Sequence, residues 1–122
     1  MKALSLFSNC GAGDVGYKEA GFEFNVMAEL NPNRLSVALA NHPTAVGVPG
    51  DLRKTWTTVI DKWRASEGVK PPDLLAACPP CQGMSSARGG LGSHDDHTAG
   101  GRDPRNLLVT VIEAVARELK PR

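Results

Sequence analysis

The sequence predicts an α/β fold: an open parallel sheet with helices on both faces, incomplete at its C-terminus. Three observations carry this. Short apolar runs alternate with segments whose apolar residues recur at helical spacing. Cap and stop signals separate the two kinds of segment. The order strand, helix, strand, helix, strand, helix, strand, loop, helix is the one that builds parallel strands joined by crossover helices.

Residues 3–7 (Ala-Leu-Ser-Leu-Phe) read as a short buried strand. Residues 11–16 form a glycine-rich turn that leads into a helix through Ala20, and Gly21 stops it. Residues 22–29 read as a second strand. Asn31 followed by Pro32 is an N-cap with Pro at the first helical position, and that helix runs to about residue 40. Residues 46–48 suggest a third, short strand, closed by Gly50 and Asp51. Val59, Ile60 and Trp63 share one helical face, which predicts a helix over 55–66 that ends at Gly68. Residues 73–77 read as a fourth strand, buried on both faces. Asp103-Pro104 repeats the cap signature, and Leu108, Val111, Ile112, Val115 and Leu119 then fall at helical spacing. A helix of this architecture normally feeds another strand, so the sheet looks unfinished after Arg122. The chain reads as one unit with no internal boundary, either a fragment or one piece of a split protein.

The 122 residues suit a single modest core. A net charge of +1 argues neither for nor against a polyanionic partner, because a basic face can be local. No stretch is long and apolar enough to cross a membrane. No signal-peptide pattern opens the chain, so a cytoplasmic location is expected. Three cysteines are an odd number, which favours free thiols over a disulfide framework.

Two constellations carry chemistry. Gly11, Gly13 and Gly16 fit G-x-G-x-x-G between a strand and a helix, where backbone can approach a ligand and the helix N-terminus faces it. Glu29, ending the next strand, can accept hydrogen bonds from ribose hydroxyls. A nucleoside-containing cofactor follows, with dinucleotide and S-adenosylmethionine both open. Asp51 ends the third strand, where it can either receive an adenine amino group or cap the next helix. The second constellation is Cys78-Pro79-Pro80-Cys81-Gln82-Gly83, which leaves the fourth strand at its carboxyl end. The two prolines stiffen the arm and hold Cys81 beyond the sheet, as a nucleophile meeting a flat ring requires. A redox pair and half of a zinc site with Cys10, His94 or His97 are the competing readings of the C-x-x-C. The double proline weighs against the first. The lack of a second C-x-x-C or H-x-x-x-H weighs against the second. Cys78 is expected to be a buried structural thiol.

Four segments, Leu6-Phe7-Ser8-Asn9-Cys10-Gly11, Ala28-Glu29-Leu30-Asn31-Pro32, Gly50-Asp51-Leu52 and Pro80-Cys81-Gln82, resemble motifs of the cytosine-C5 DNA methyltransferase family in order and spacing. Asp103-Pro104-Arg105-Asn106 resembles the helix start after that family's catalytic loop. The resemblance spans the whole chain and implies a Rossmann-like fold that binds S-adenosyl-L-methionine. It implies that Phe7 stacks on or lines the cofactor pocket, and that Asn9, Cys10 and Gly11 turn around the methionine part. It assigns Glu29 to the ribose, Leu30 to packing on adenine, and Asp51 and Leu52 to the adenine edge. Pro80 and Leu108 would border the pocket. Cys81 would be the catalytic nucleophile, adding to C6 of a cytosine flipped out of DNA. Gln82 and Ser85 would face DNA. The glycine-rich stretch 83–102 itself reads as a long loop that closes over flipped DNA, with Arg88 or Arg102 on phosphate. The family usually has Gly at the position of Asn9. Asn tolerates a left-handed backbone nearly as well, so the turn can survive.

The same resemblance says what these residues lack: the carboxylate that engages cytosine N3, the target-recognition region and the last cofactor motif. The isolated chain is therefore expected to be inactive, or nearly so, unless a complementary chain joins it. A tRNA cytosine-C5 methyltransferase, a non-catalytic cofactor-binding or regulatory module, and a dinucleotide-binding oxidoreductase fragment remain alternatives.

Overall fold

The computed structural model describes residues 1–80 and 104–122, with only the backbone of Pro104 and Asn106. Strand β1 (Lys2–Leu6) leads to helix α1 (Ala12–Glu19), β2 (Glu23–Glu29), α2 (Pro32–Asn41), β3 (Val46–Pro49), α3 (Leu52–Glu67) and β4 (Leu74–Ala77). A 3₁₀ turn over Pro104–Leu107 then opens α4 (Leu108–Leu119). The four strands are parallel in the order β3-β2-β1-β4, so the chain starts in the middle of the sheet and winds outward both ways. Such a reversal of strand order opens a crevice at the carboxyl ends of the central strands.

Alternation along the strands divides the core between two faces. Leu4, Leu6, Val26, Ala28 and Val48 pack under Leu52, Val59, Ile60 and Trp63 of α3 and Val111, Val115 and Leu119 of α4. Ala3, Phe24 and Met27 pack under Leu35 and Ala38 of α2 on the other face. Phe24 and Met27 share a face despite their odd spacing. The β1–β2 register shifts between Ala3 and Leu4, skipping Asn25 and flipping the alternation there. Trp63, the largest buried side chain, satisfies its indole N–H on the Lys70 carbonyl at 2.8 Å.

Three expectations are corrected. Helix α3 begins at Leu52, earlier than the predicted 55, because Asp51 caps it directly. The glycine turn lies before residue 12, so Gly13 and Gly16 are helical residues on the exposed side of α1. β4 is half-buried rather than covered on both faces, because it is the edge strand among the described residues. Cys81, Gln82, Ser85, Arg88, Arg102 and the cap residue Asp103 lie outside the described residues.

Candidate functional site

The site is built on the turn between β1 and α1. Phe7 and Asn9 take positive φ of 55° and 50°, and Gly11 takes 73°. A bulky residue at such an angle costs about 1–2 kcal/mol and persists only where its surroundings enforce it. Two sets of contacts do so. Ser8 N–H donates to the Ala28 carbonyl at 3.0 Å. Its hydroxyl lies 3.2 Å from the Ser5 carbonyl and 3.3 Å from that of Ala28. The carboxylate of Glu29 accepts the Asn9 N–H at 3.0 Å through Oε2 and the Asn31 N–H at 3.1 Å through Oε1. One side chain thus ties the first turn to the start of α2.

Gly11 is where glycine is required. Besides its positive φ, a Cβ there would sit 3.1 Å from both Cα and Cβ of Ala38 on α2. Gly13 and Gly16 have no such neighbour within 4 Å. Of the three motif glycines, only the first answers a steric demand.

Beside this turn a cleft of about 580 Å³ opens at the carboxyl ends of the strands. Its wall contains eight residues selected from the sequence: Phe7, Asn9, Glu29, Leu30, Asp51, Leu52, Pro80 and Leu108. They come from five separate stretches of chain. The arm Cys78-Pro79-Pro80 also lines it, which brings the chain to the cleft's edge one residue before Cys81. Cys10 is elsewhere: it lines an adjoining hollow of about 710 Å³ that shares Phe7, Asn9 and Cys78 with the first. Gly11 lines neither wall and is buried against α2. Cys78, expected to be buried, is exposed, because the edge strand carries it out past the sheet while its N–H holds the Leu6 carbonyl at 3.3 Å.

Of the two readings of Asp51, the structure shows the helix cap. Its Oδ1 accepts the Arg53 N–H at 3.0 Å as the cap of α3, and its side chain still lines the cleft. The Arg53 guanidinium grips the same carboxylate, with Nη2 at 2.6 Å from Oδ2. That pairing and the capped N–H hold the Asp51 carboxyl below the usual carboxylate range.

Sequence reasoning missed three arginines on the cleft wall: Arg34, Arg53 and Arg105. Arg34 and Arg53 stand in the first turns of helices that follow strand ends. That is the level at which such crevices open, so position relative to the caps was the available signal. It also missed a buried polar pair beneath the turn. Ser5 donates its hydroxyl to Asp14 Oδ2 at 2.8 Å. Burial pushes the Asp14 carboxyl up, against the Ser5 hydrogen bond and the attraction of His42. The signals there were a serine inside an apolar strand and an acid inside a glycine motif.

Residues 1–122 match the sequence model of the C-5 cytosine-specific DNA methylase family. The chain belongs to this family. It is 33% identical over 121 residues to the type II methyltransferase M.AquIA of Picosynechococcus, covering 99% of this chain and 45% of that relative. It is also 33% identical over 121 residues to M1.HgaI of Avibacterium volantium, covering 32% of it. Identity to M.NgoPII of Neisseria gonorrhoeae is 35% over 96 residues, 26% of that relative. The chain thus spans less than half the length of these relatives. Its fold superposes with a TM-score of 0.73 on a protein of E. coli described as a prophage-encoded DNA modification methyltransferase. That match has 24% identity and covers 99% of this chain and 30% of the other. No helix among the described residues is long and apolar enough to cross a membrane.

Proposed function

We propose that this chain is the cofactor-binding and nucleophile-bearing part of a DNA cytosine-C5 methyltransferase that uses S-adenosyl-L-methionine. One observation carries the reading: residues chosen for adenosine binding from scattered sequence segments line a single cleft of about 580 Å³ at the strand carboxyl ends.

The groups lining the cleft suit an adenosine. Each oxygen of Glu29 accepts one backbone amide. A carboxylate accepts roughly four hydrogen bonds, so two remain for a ribose diol. Phe7, Leu30, Leu52, Pro80 and Leu108 offer apolar surface to a purine, and Asp51 offers an acceptor to its amino group. Asn9, Cys10 and Gly11 turn the backbone toward the methionine part. When bound, the sulfonium supplies an electrophilic methyl group.

Pro80 lines this cleft, and Cys81, the next residue in sequence, is the nucleophile in this reading. As thiolate it forms a bond to C6 of a cytosine flipped from the duplex, which makes C5 electron-rich enough to take the methyl group. Loss of the C5 proton then expels the thiolate. Gln82, Ser85 and Arg88 face the DNA in this reading. In this reading the chain alone does not turn over DNA, because these residues match no counterpart of the acid that engages cytosine N3.

Calorimetry tests the cofactor half. S-adenosylhomocysteine should bind the chain and NAD should not; the reverse result overturns the reading. For the nucleophile, DNA carrying 5-fluorocytosine should form a covalent adduct at Cys81 in the complemented enzyme. An adduct that persists in Cys81→Ser would dismiss that role. Turnover by the isolated chain, abolished in Cys81→Ser, would refute its predicted inactivity.

A further inference from the structure

Asp51 has both carboxylate oxygens covered by one neighbouring side chain. Arg53 Nε donates to Oδ1 and Oδ2 at 3.0 Å each, and Nη2 donates to Oδ2 at 2.6 Å. The Arg53 backbone N–H takes Oδ1 as well, at 3.0 Å. A carboxylate offers roughly four lone-pair sites, so little acceptor capacity is left facing the cleft. An amino group arriving at Asp51 must displace the guanidinium, while the backbone cap can stay.

Arg53 has little other reason to be where it is. It stands in the first turn of α3, which holds no acidic residue, and a cation there opposes the helix dipole. Its side chain is 55% exposed, so it contributes little packing and can swing into water. Exposed ion pairs add little stability. The Arg53 guanidinium grips Asp51, and both residues line the cleft.

We propose that Arg53 is a specificity-determining residue of the cleft, a built-in competitor for the purine 6-amino group at Asp51. When the purine carries a 6-oxo group instead, the guanidinium turns and donates to it. This inference rests on the adenosine reading of the cleft and adds to it a residue that no motif selects. The competition weakens binding of the amino-purine and softens the penalty against the oxo-purine, so Arg53 lowers discrimination between them.

The test is calorimetric titration of the 122-residue chain with S-adenosylhomocysteine and with S-inosylhomocysteine, which differ in the purine 6-substituent and, with it, in whether N1 accepts or donates; the N1 change is the same for every variant. Arg53→Gln keeps the helix and removes the competitor. It should tighten S-adenosylhomocysteine by about two- to fivefold, the range expected for releasing an exposed pair. It should weaken S-inosylhomocysteine, so the ratio of the two affinities rises. The wild-type ratio should approach that of Arg53→Gln as salt is raised, since screening loosens the pair. Arg34→Gln removes the same charge from the same cleft and should leave the ratio where it was. An unchanged or smaller ratio in Arg53→Gln overturns the proposal, as does an equal change in Arg34→Gln. If both ligands bind, Asp51→Asn abolishes the amino preference and Arg53→Gln leaves it unchanged, only the competitor role fails. If neither ligand binds either chain, the adenosine reading of the cleft fails and takes this inference with it.

Discussion

Glu29→Gln separates holding the fold from holding a ligand. Glu29 is 7% exposed and accepts two backbone N–H groups, from Asn9 and Asn31, on opposite oxygens. Gln keeps the shape but has one oxygen, so one N–H retains a neutral acceptor and the other faces an NH₂ donor. Hydrogen bonds to a charged acceptor are worth about 1.5–3 kcal/mol each, and a buried donor left unpaired costs about 1–3 kcal/mol. The two losses overlap, so about 2–4 kcal/mol is the expected destabilisation. At about 3–5 °C per kcal/mol for a chain of this size, thermal unfolding should fall by roughly 10 °C. The strained residues Phe7 and Asn9 are the ones released, so amide exchange should accelerate first between Phe7 and Gly11. Calorimetric or circular-dichroism melts measure the first effect and exchange measures the second. A Glu29→Gln chain that melts within a degree of wild type would refute the claim that this carboxylate maintains the turn.

Two further perturbations read the same region. Gly11→Ala must accept an unfavourable φ and press against Ala38, which should cost about 2–4 kcal/mol in urea unfolding. Gly13→Ala, in open space inside α1, should gain about 0.5–1 kcal/mol, and equal effects at the two sites would contradict the steric assignment. Asp14 carries a pH signature. Burial raises its carboxyl above 3.8, so the folded chain holds this proton to higher pH than the unfolded chain. The penalty is therefore absent below the ordinary carboxylate value and grows as pH rises through the raised one. Asp14→Asn, which still accepts from Ser5, should gain stability relative to wild type between about pH 3 and pH 7. Melts at both pH values whose difference is constant or reversed would count against it.

The architecture was legible because local signals agreed with it at nearly every element. Asn31-Pro32 announced α2, and its side chain does cap Asn33 and Arg34. The apolar spacing of Val111, Val115 and Leu119 announced the buried stripe of α4. What stayed hidden was set by neighbours distant in sequence. Whether 73–77 was central or at an edge depends on which strand pairs with β1, and no pattern within the strand records that. The exposure of Cys78 follows from the same fact. The cleft was legible as a set of positions, since strand carboxyl ends and the residues after them converge in this topology. The roles of the glycines were not, because G-x-G-x-x-G does not say which glycine touches another backbone. Nor does sequence reveal that Phe7 adopts a left-handed angle; only the carboxylate and serine that enforce it explain it.

The two acids of the cleft differ in how their acceptors are filled, and that difference has a consequence. Glu29 is held by backbone amides that cannot leave without unfolding the turn, so its remaining lone pairs point in a fixed direction. Asp51 is held mainly by a side chain that is half in water, so its acceptors are conditional. A rigid acceptor suits a ribose, which is common to every nucleoside. A conditional one suits the base edge, where ligands differ. Variants at the two positions should therefore fail in different ways. Glu29→Gln should weaken S-adenosylhomocysteine and S-inosylhomocysteine alike, by about tenfold to a hundredfold, together with a lower melting temperature. Arg53→Gln should leave the melt near wild type and move only the ratio between the ligands. If Glu29→Gln changes that ratio, or Arg53→Gln lowers both affinities equally, the division of labour between the two carboxylates is wrong.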